Sequence, residues 1–294
     1  MTRYDIAIIG TGPAGLEAAI TAKIRNKDII VFGSASGSDK VEKSHLVENY
    51  LGIPSTTGKD LMRTFLDHAI SMGVEITQEK VSTVYPMGDV FSIQSSKGEM
   101  YEASSVILAA GVSAGKTYDG EEEYLGRGVS YCATCDAALF KGKDVAIVGF
   151  SPDEEAEADF MAEFAGRVMY FPQYDGDVNV APSIEIVREK PVAVEGDMKV
   201  RTFRTDSNEY SLDGVFFLRE SIAPGNLVPG LKTAEKQVEV DRNMATNIPG
   251  LFACGDITGA PYQLTKAAGE GNVAALSAVS YLYEKQRNKD RKGE

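Results

Sequence analysis

Cys132 and Cys135 stand three positions apart in Tyr131-Cys132-Ala133-Thr134-Cys135-Asp136. That spacing puts two thiols one helical turn apart, close enough to close a strained, reducible disulfide, so the chemistry it predicts first is thiol–disulfide exchange. Two other readings stand beside it. A zinc centre needs about four ligands, and besides this pair the chain offers only Cys254, His45 and His68, so no metal is expected. An inert structural pair is the other. The shortage of histidine also leaves little material for His-dependent nucleophilic catalysis.

The second chemical signal is Gly10-Thr11-Gly12-Pro13-Ala14-Gly15, which follows the apolar run 5–9 and precedes helical spacing at Leu16, Ala19, Ile20 and Ile24. G-x-G-x-x-G is weak alone, but strand, turn and helix are the context its physics requires. Gly10 permits a tight turn, Gly12 lets backbone approach a pyrophosphate, and Gly15 allows close packing, while the helix end supplies N–H groups and a positive dipole. The plainer alternative is a glycine turn between packed elements. No acidic residue closes the second strand to hold ribose hydroxyls, since Phe32 is followed by Gly33-Ser34-Ala35-Ser36-Gly37. The loop therefore leaves open which dinucleotide binds.

These groups need a frame. The run 28–32 reads as a second strand and completes a βαβ unit whose parallel sheet is buried on both faces. A second opening of the same kind occupies 143–149, followed by a helical stretch to Phe164 and a strand at 167–171. Strand-like runs at 90–93, 106–109 and 214–218 fill the intervals, and a helix is predicted over 263–284. The expected class is α/β with two Rossmann-like, three-layer domains.

With 294 residues, 43% of them hydrophobic, the chain is long enough for two cored domains. Lys and Arg number 30 against 43 Asp and Glu, a net charge of −13, and such a surface repels nucleic acid. Only Lys285, Arg287, Lys289, Arg291 and Lys292 cluster as cations, read here as a solvated tail. No apolar run approaches the roughly 18 residues of a membrane span. The N-terminus enters directly into Tyr4-Asp5-Ile6-Ala7-Ile8-Ile9-Gly10 with no signal-peptide pattern, so the expected compartment is the cytoplasm.

Five motifs in this order resemble the low-molecular-weight thioredoxin reductases over almost the whole chain. They are the first glycine loop, Glu48-Asn49-Tyr50-Leu51-Gly52, Ile107-Leu108-Ala109-Ala110-Gly111, Gly126-Arg127-Gly128-Val129-Ser130 running into the cysteine motif, and Gly250-Leu251-Phe252-Ala253-Cys254-Gly255-Asp256. The resemblance implies FAD, a homodimer, thioredoxin as substrate, and a FAD-binding domain over 1–112 and 245–294 interrupted by a central domain over 113–244 that carries the cysteines. It assigns FAD contacts to Gly10, Gly12, Pro13, Ala14, Gly15, Asn49, Ala110, Gly111, Gly255, Asp256, Tyr262 and Gln263, with Asp256 on the ribityl or pyrophosphate region and Gln263 near the isoalloxazine ring. Cys135 would lie next to the flavin, Cys132 would attack the partner disulfide, and Asp136 would move the proton. An N-cap or a solvated carboxylate is the other reading of Asp136. The resemblance gives Cys254 no redox role, and it reads as a small buried hydrophobe.

The chain departs from that family at the second glycine loop, where NADPH would bind. Here stand Gly149-Phe150-Ser151-Pro152-Asp153-Glu154-Glu155-Ala156-Glu157-Ala158-Asp159. Ser151 and Glu154 replace glycine-type positions, and Pro152 removes an N–H. Locally this is a good helix start, with Ser151 as N-cap, Pro152 next, and Glu154 completing a capping box. One carboxylate about 5 Å from a phosphate costs roughly 3 kcal/mol at an effective dielectric near ~20, and the stretch after the following strand, 170–177, contains no Arg or Lys. NADPH is therefore not expected, nor NADH. Ser38-Asp39-Lys40-Val41-Glu42-Lys43 replaces a glycine-rich flavin contact, and Tyr262 stands where the family has arginine, either covering the ring or packing as an ordinary aromatic. The whole pattern looks most like the ferredoxin-dependent flavin thioredoxin reductases. Rival readings are a dithiol oxidase passing electrons to oxygen, a non-catalytic flavin-binding sensor, and an unorthodox NAD(P)H enzyme. An acidic ferredoxin would need a locally basic or neutral patch on this acidic chain.

Overall fold

The computed structural model describes residues 3–111, 117–131, 133–218, 224–234 and 237–292, with the backbone alone described at Thr134, Cys135, Asp153 and Lys292. The chain divides into two compact units. One comprises Met1–Ser95, Glu99–Ser113 and Ala223–Glu294, and the other Ser96–Gly98 and Ala114–Ile222.

In the first unit, β1 (Arg3–Ile9) carries the apolar run, and Ile6, Ala7 and Ile8 are fully buried, as a strand covered on both faces must be. α1 (Pro13–Ile24) begins with proline where a missing N–H costs nothing. β2 (Ile29–Phe32) then lies parallel to β1, with Val31 opposite Ile8. α2 (Asp39–Glu42), α3 (Gly58–Ser71), β3 (Ile76–Thr77), β4 (Val81–Pro86), β5 (Phe91–Ser95) and β6 (Met100–Leu108) complete this passage. The sheet order is β3-β2-β1-β6-β5-β4. β6 runs parallel to β1 from Glu102 on, while its first residues pair antiparallel with β5.

The second unit contains β7 (Val129–Ser130), α4 (Ala133–Asp136), a 3₁₀ turn Ala137–Phe140, β8 (Asp144–Gly149), a 3₁₀ turn Pro152–Glu154, α5 (Glu155–Ala162) and β9 (Arg167–Pro172). β10 (Glu185–Ile186), β11 (Pro191–Gly196), β12 (Val200–Thr205), β13 (Glu209–Ser211) and β14 (Gly214–Leu218) follow. A parallel sheet of order β10-β9-β8-β14-β7 forms its centre. β8 alternates between two cores. Val145 and Ile147 pack with Ala133, Ala158 and Met161 of α4 and α5, while Ala146 and Val148 pack with Val194 and Phe203 of the antiparallel β11-β12-β13 layer. The helix expected to reach Phe164 thus opens as a 3₁₀ turn and ends at Ala162.

The chain returns to the first unit through α6 (Pro224–Leu227), β15 (Thr233–Ala234), β16 (Gln237–Val238), β17 (Leu251–Ala253), a 3₁₀ turn Gly255–Thr258 and α7 (Leu264–Lys292). The boundary expected at residue 245 lies instead near Ala223. The physical reason is tertiary: α6 packs against β4, and Lys232 N–H donates to Asn247 Oδ1 at 2.8 Å. α7 also outruns its predicted end at 284. The basic cluster is therefore part of a helix rather than a free tail, and Asp89 pairs with Lys285 at 3.6 Å and Lys289 at 3.9 Å. α1 and α7 approach closely, because a Cβ on Gly271 would lie 2.1 Å from the Ala14 carbonyl oxygen. Among the described residues no helix is long and apolar enough to cross a membrane.

Candidate functional site

The first glycine loop separates two kinds of requirement. Gly10 adopts φ +119°, and a Cβ there would lie 2.2 Å from the Ala109 carbonyl oxygen; a Cβ on Gly15 would lie 1.9 Å from the Gly10 carbonyl oxygen. The protein's own backbone demands both glycines. Gly12 is ordinary in conformation, at φ −75°, and a Cβ there meets nothing closer than Ser38 Cβ at 3.8 Å. A methyl there would make only an ordinary van der Waals contact. The N-terminus of α1 has no side-chain cap and no acidic residue in its first turn, which leaves its N–H groups and dipole as a donor set for a pyrophosphate. FAD fits this end of the first unit. Pro13 opens α1, and the Ala14 methyl lies 2.9 Å from where a Cβ on Gly255 would stand, which keeps the Gly255 backbone against α1. Ala110 and Gly111 continue from β6 at the same edge.

Four of the other predicted contacts come together in the first unit. Asn49 Nδ2 donates to Gln263 Oε1 at 3.0 Å, and Lys40 Nζ stands 2.6 Å from Asp256 Oδ2 and 5.1 Å from the centre of the Tyr262 ring. Tyr262 is thus neither buried nor packed as a core aromatic; it is 47% exposed with a cation on its face. Sequence reasoning missed Lys40 as a contact, because its partner lies 216 residues away. It also missed the clamp beneath Asp256. There Glu270 Oε2 accepts from Gly255 N–H at 2.8 Å and Thr258 Oγ1 at 2.9 Å, while Lys266 Nζ donates to the Gly255 and Gly259 carbonyls at 3.0 and 2.7 Å. Cys254 beside it is fully buried, and burial, aided by the Glu270 charge, pushes its thiol well above the ordinary range. It is a small core residue.

In the second unit, Cys132 lies outside the described residues, and Cys135 has its backbone on α4. Asp136 is half-buried and precedes the 3₁₀ turn, but its carboxylate makes no capping hydrogen bond. The second glycine loop is filled by the protein itself. Glu154 Oε2 accepts from Ser151 N–H at 2.6 Å and from Ser151 Oγ at 2.7 Å, and Glu154 is 1% exposed. This is the capping box legible in the sequence, and it places a buried carboxylate on a turn N–H that a pyrophosphate would otherwise use. Glu155 accepts from Tyr174 Oη and from Asn179 N–H, and Asp159 accepts from Ala181 N–H at 2.7 Å. A Cβ on Gly149 would lie 2.1 Å from the Tyr170 hydroxyl, so that side of the turn is filled too. One cation absent from the sequence reading does reach the turn after β9: Arg188 Nη2 donates to the Gly176 carbonyl at 2.6 Å.

Burial, reinforced by the hydrogen bond to Glu155, pushes the Tyr174 hydroxyl up to about 12. A folded-state value raised above the ordinary 10.0 stabilises the fold below pH 10, and that contribution is lost as pH rises towards 12. Unfolding free energy should therefore fall between those two pH values more steeply in the native chain than in a Tyr174→Phe variant. Denaturant titrations with identical slopes would show that this tyrosine contributes nothing.

The profile of the pyridine nucleotide-disulphide oxidoreductase family matches residues 4–152 and 180–271. A thioredoxin reductase from Aquifex aeolicus is 32% identical over 97% of this chain and 95% of its own. Among solved structures, a ferredoxin-flavin thioredoxin reductase from Clostridium acetobutylicum is 50% identical, with a TM-score of 0.87 over 97% of this chain and 99% of that one. A thioredoxin reductase from Gloeobacter violaceus is 28% identical, with a TM-score of 0.78 over 96% and 95%. On the strength of both parts of the family profile and of relatives aligned end to end, the chain belongs to the thioredoxin reductases of the pyridine nucleotide-disulphide oxidoreductase family, flavoenzymes that carry FAD.

Proposed function

We propose that this chain reduces thioredoxin through Cys132 and Cys135 with electrons from reduced ferredoxin rather than from a nicotinamide nucleotide. The observation that carries this reading is the Glu154 carboxylate seated on Ser151 N–H and Oγ, a buried negative charge where the nucleotide's phosphates would bind. The 50% identity to a protein described as a ferredoxin-flavin thioredoxin reductase supports it. Gly10, Gly12, Pro13, Ala14, Gly15, Asn49, Ala110, Gly111, Gly255, Asp256, Tyr262 and Gln263 hold FAD in the first unit, and Lys40 joins them through Asp256. When bound, FAD takes electrons singly and gives a pair to a disulfide, which a one-electron carrier cannot do in one step. Ferredoxin potentials near about −400 mV against about −270 mV for thioredoxin make the transfer downhill by roughly 6 kcal/mol for two electrons.

Cys132 acts as the interchange thiol, Cys135 takes the electron pair from the flavin, and Asp136 handles the proton. The chain works as a homodimer in the cytoplasm, where thiols stay reduced. For an acidic ferredoxin the favoured landing area is 39–71. There Lys40, Lys43, Lys59 and Arg63 stand against Asp39, Glu42, Glu48, Asp60 and Asp67, nearly neutral in a chain of −13. The chain just after α2 meets the start of α3 there, with Gly58 N–H donating to the Ser44 carbonyl at 2.8 Å.

An anaerobic titration tests the donor. Chemically reduced ferredoxin should bleach the flavin absorbance and oxidised thioredoxin should restore it, with NADPH and NADH inert at micromolar concentration. Rapid bleaching by NADPH would overturn the proposal. Oxygen consumption with small dithiols, without thioredoxin turnover, would point to a dithiol oxidase.

A further inference from the structure

Lys266 and Glu270 stand one helical turn apart on α7, with Lys266 Nζ 3.2 Å from Glu270 Oε2 and each side chain 18% exposed. Both reach back onto the turn that carries Asp256. Lys266 Nζ donates to the Gly255 and Gly259 carbonyls at 3.0 and 2.7 Å and to Thr258 Oγ1 at 3.0 Å. Glu270 Oε2 accepts from Gly255 N–H at 2.8 Å, and the Thr258 hydroxyl lies between this carboxylate, at 2.9 Å, and the Gly255 carbonyl, at 2.8 Å. An ammonium has three protons to give, and four acceptors of the chain itself stand within 3.2 Å of this one. Lys266 therefore has no donor left over for a ligand and acts on one only through the turn.

For stability alone the placement is poor. Lys266 is the third residue of α7, where the helix dipole disfavours a cation, and a buried ion pair is often replaceable by apolar side chains at no cost to the fold. What the pair does secure is a spacing. Asp256 lies between the tethered Gly255 and Thr258, and Gln263 immediately precedes α7, its carbonyl accepting from Ala267 N–H at 2.9 Å. Tying 255–259 to the helix fixes the Asp256 backbone relative to Gln263. The two side chains are held separately, Asp256 by Lys40 at 2.6 Å and Gln263 by Asn49 at 3.0 Å.

We infer that Lys266 and Glu270 are a positioning pair for FAD: they hold Asp256 and Gln263 at the spacing at which one cofactor molecule reaches both. This rests on the reading of Asp256 and Gln263 as FAD contacts, the first at the ribityl or pyrophosphate region and the second near the ring. Those two parts of FAD are joined covalently, so the two contacts strengthen each other only while their spacing matches the cofactor. Residues that lock such a spacing through hydrogen bonds to the backbone raise affinity without touching the ligand.

The test is the rate at which FAD leaves the FAD-loaded protein, read as the rise of free-flavin fluorescence after dilution. Lys266→Met combined with Glu270→Gln removes both charges and keeps an amide acceptor for the Gly255 N–H. This double variant should speed FAD release about tenfold in the native background and less than about twofold in an Asp256→Ala background, because the spacing matters only while both contacts exist. Equal acceleration in both backgrounds, which a merely structural clamp would give, overturns the proposal, as does an unchanged rate in the native background. Should the double variant fail to fold, Glu270→Gln alone, taken through the same cycle, decides. A native release rate in Asp256→Ala by itself would instead overturn the assignment of Asp256 to FAD, and the proposal with it, a result read without either α7 variant.

Discussion

A Cys132→Ser variant should remain yellow and still be bleached by reduced ferredoxin, while its reduction of thioredoxin falls by about a thousandfold or more. The reason lies in the exchange step. A disulfide is opened by a thiolate, and a serine hydroxyl is neither ionised near neutral pH nor able to form the mixed disulfide. Outside the pair, the third cysteine cannot take over, since Cys254 is fully buried with its thiol pushed up by burial. Steady-state thioredoxin reduction with ferredoxin as donor, run beside the flavin titration, separates the two half-reactions. Turnover above about one hundredth of the native rate would mean that Cys132 is not the attacking group.

The first glycine loop yields the second large effect, and it is a contrast between neighbours. Gly15→Ala should destabilise the first unit by about 3 kcal/mol, because the new methyl would sit 1.9 Å from a backbone oxygen that no rotamer change can move. Gly12→Ala should leave the FAD-free protein's melting temperature almost unchanged, since its Cβ has 3.8 Å of clearance at an ordinary φ. Its effect should fall on FAD, whose pyrophosphate loses its close approach to the backbone. Thermal melts with and without added FAD distinguish the pair. Equal loss of stability in both FAD-free variants would mean that Gly12, too, serves the fold alone.

The features legible in the sequence share a physical property: each is decided within one turn of chain. The capping box of Ser151 and Glu154 links residues three apart, and the structure contains it at 2.6 and 2.7 Å. Strand, glycine turn and helix at 3–24 follow from an apolar run and from Gly15, whose Cβ would strike the nearby Gly10 carbonyl oxygen. Where a boundary depended on distant packing, the reading slipped. Residues 224–234 and 237–244 carry no pattern that ties them to the first unit, yet α6 lies against β4 and Asn247 holds the Lys232 N–H. The basic end of α7 reads as solvated from its sequence, yet Asp89, on the loop before β5, pairs with its Lys285 and Lys289.

The sequence by itself determined the local motifs. It carries two cysteines at exchange spacing, a glycine loop between a strand and a helix, and a second loop with a capping box in place of glycines, all through neighbours a few residues apart. The tertiary structure alone decided which distant side chains meet around those motifs. Lys40 meets Asp256, Asn49 meets Gln263, and Arg188 reaches Gly176. Such pairings arise from how sheets and helices bury their apolar faces, and no local propensity encodes the partner that burial brings within reach.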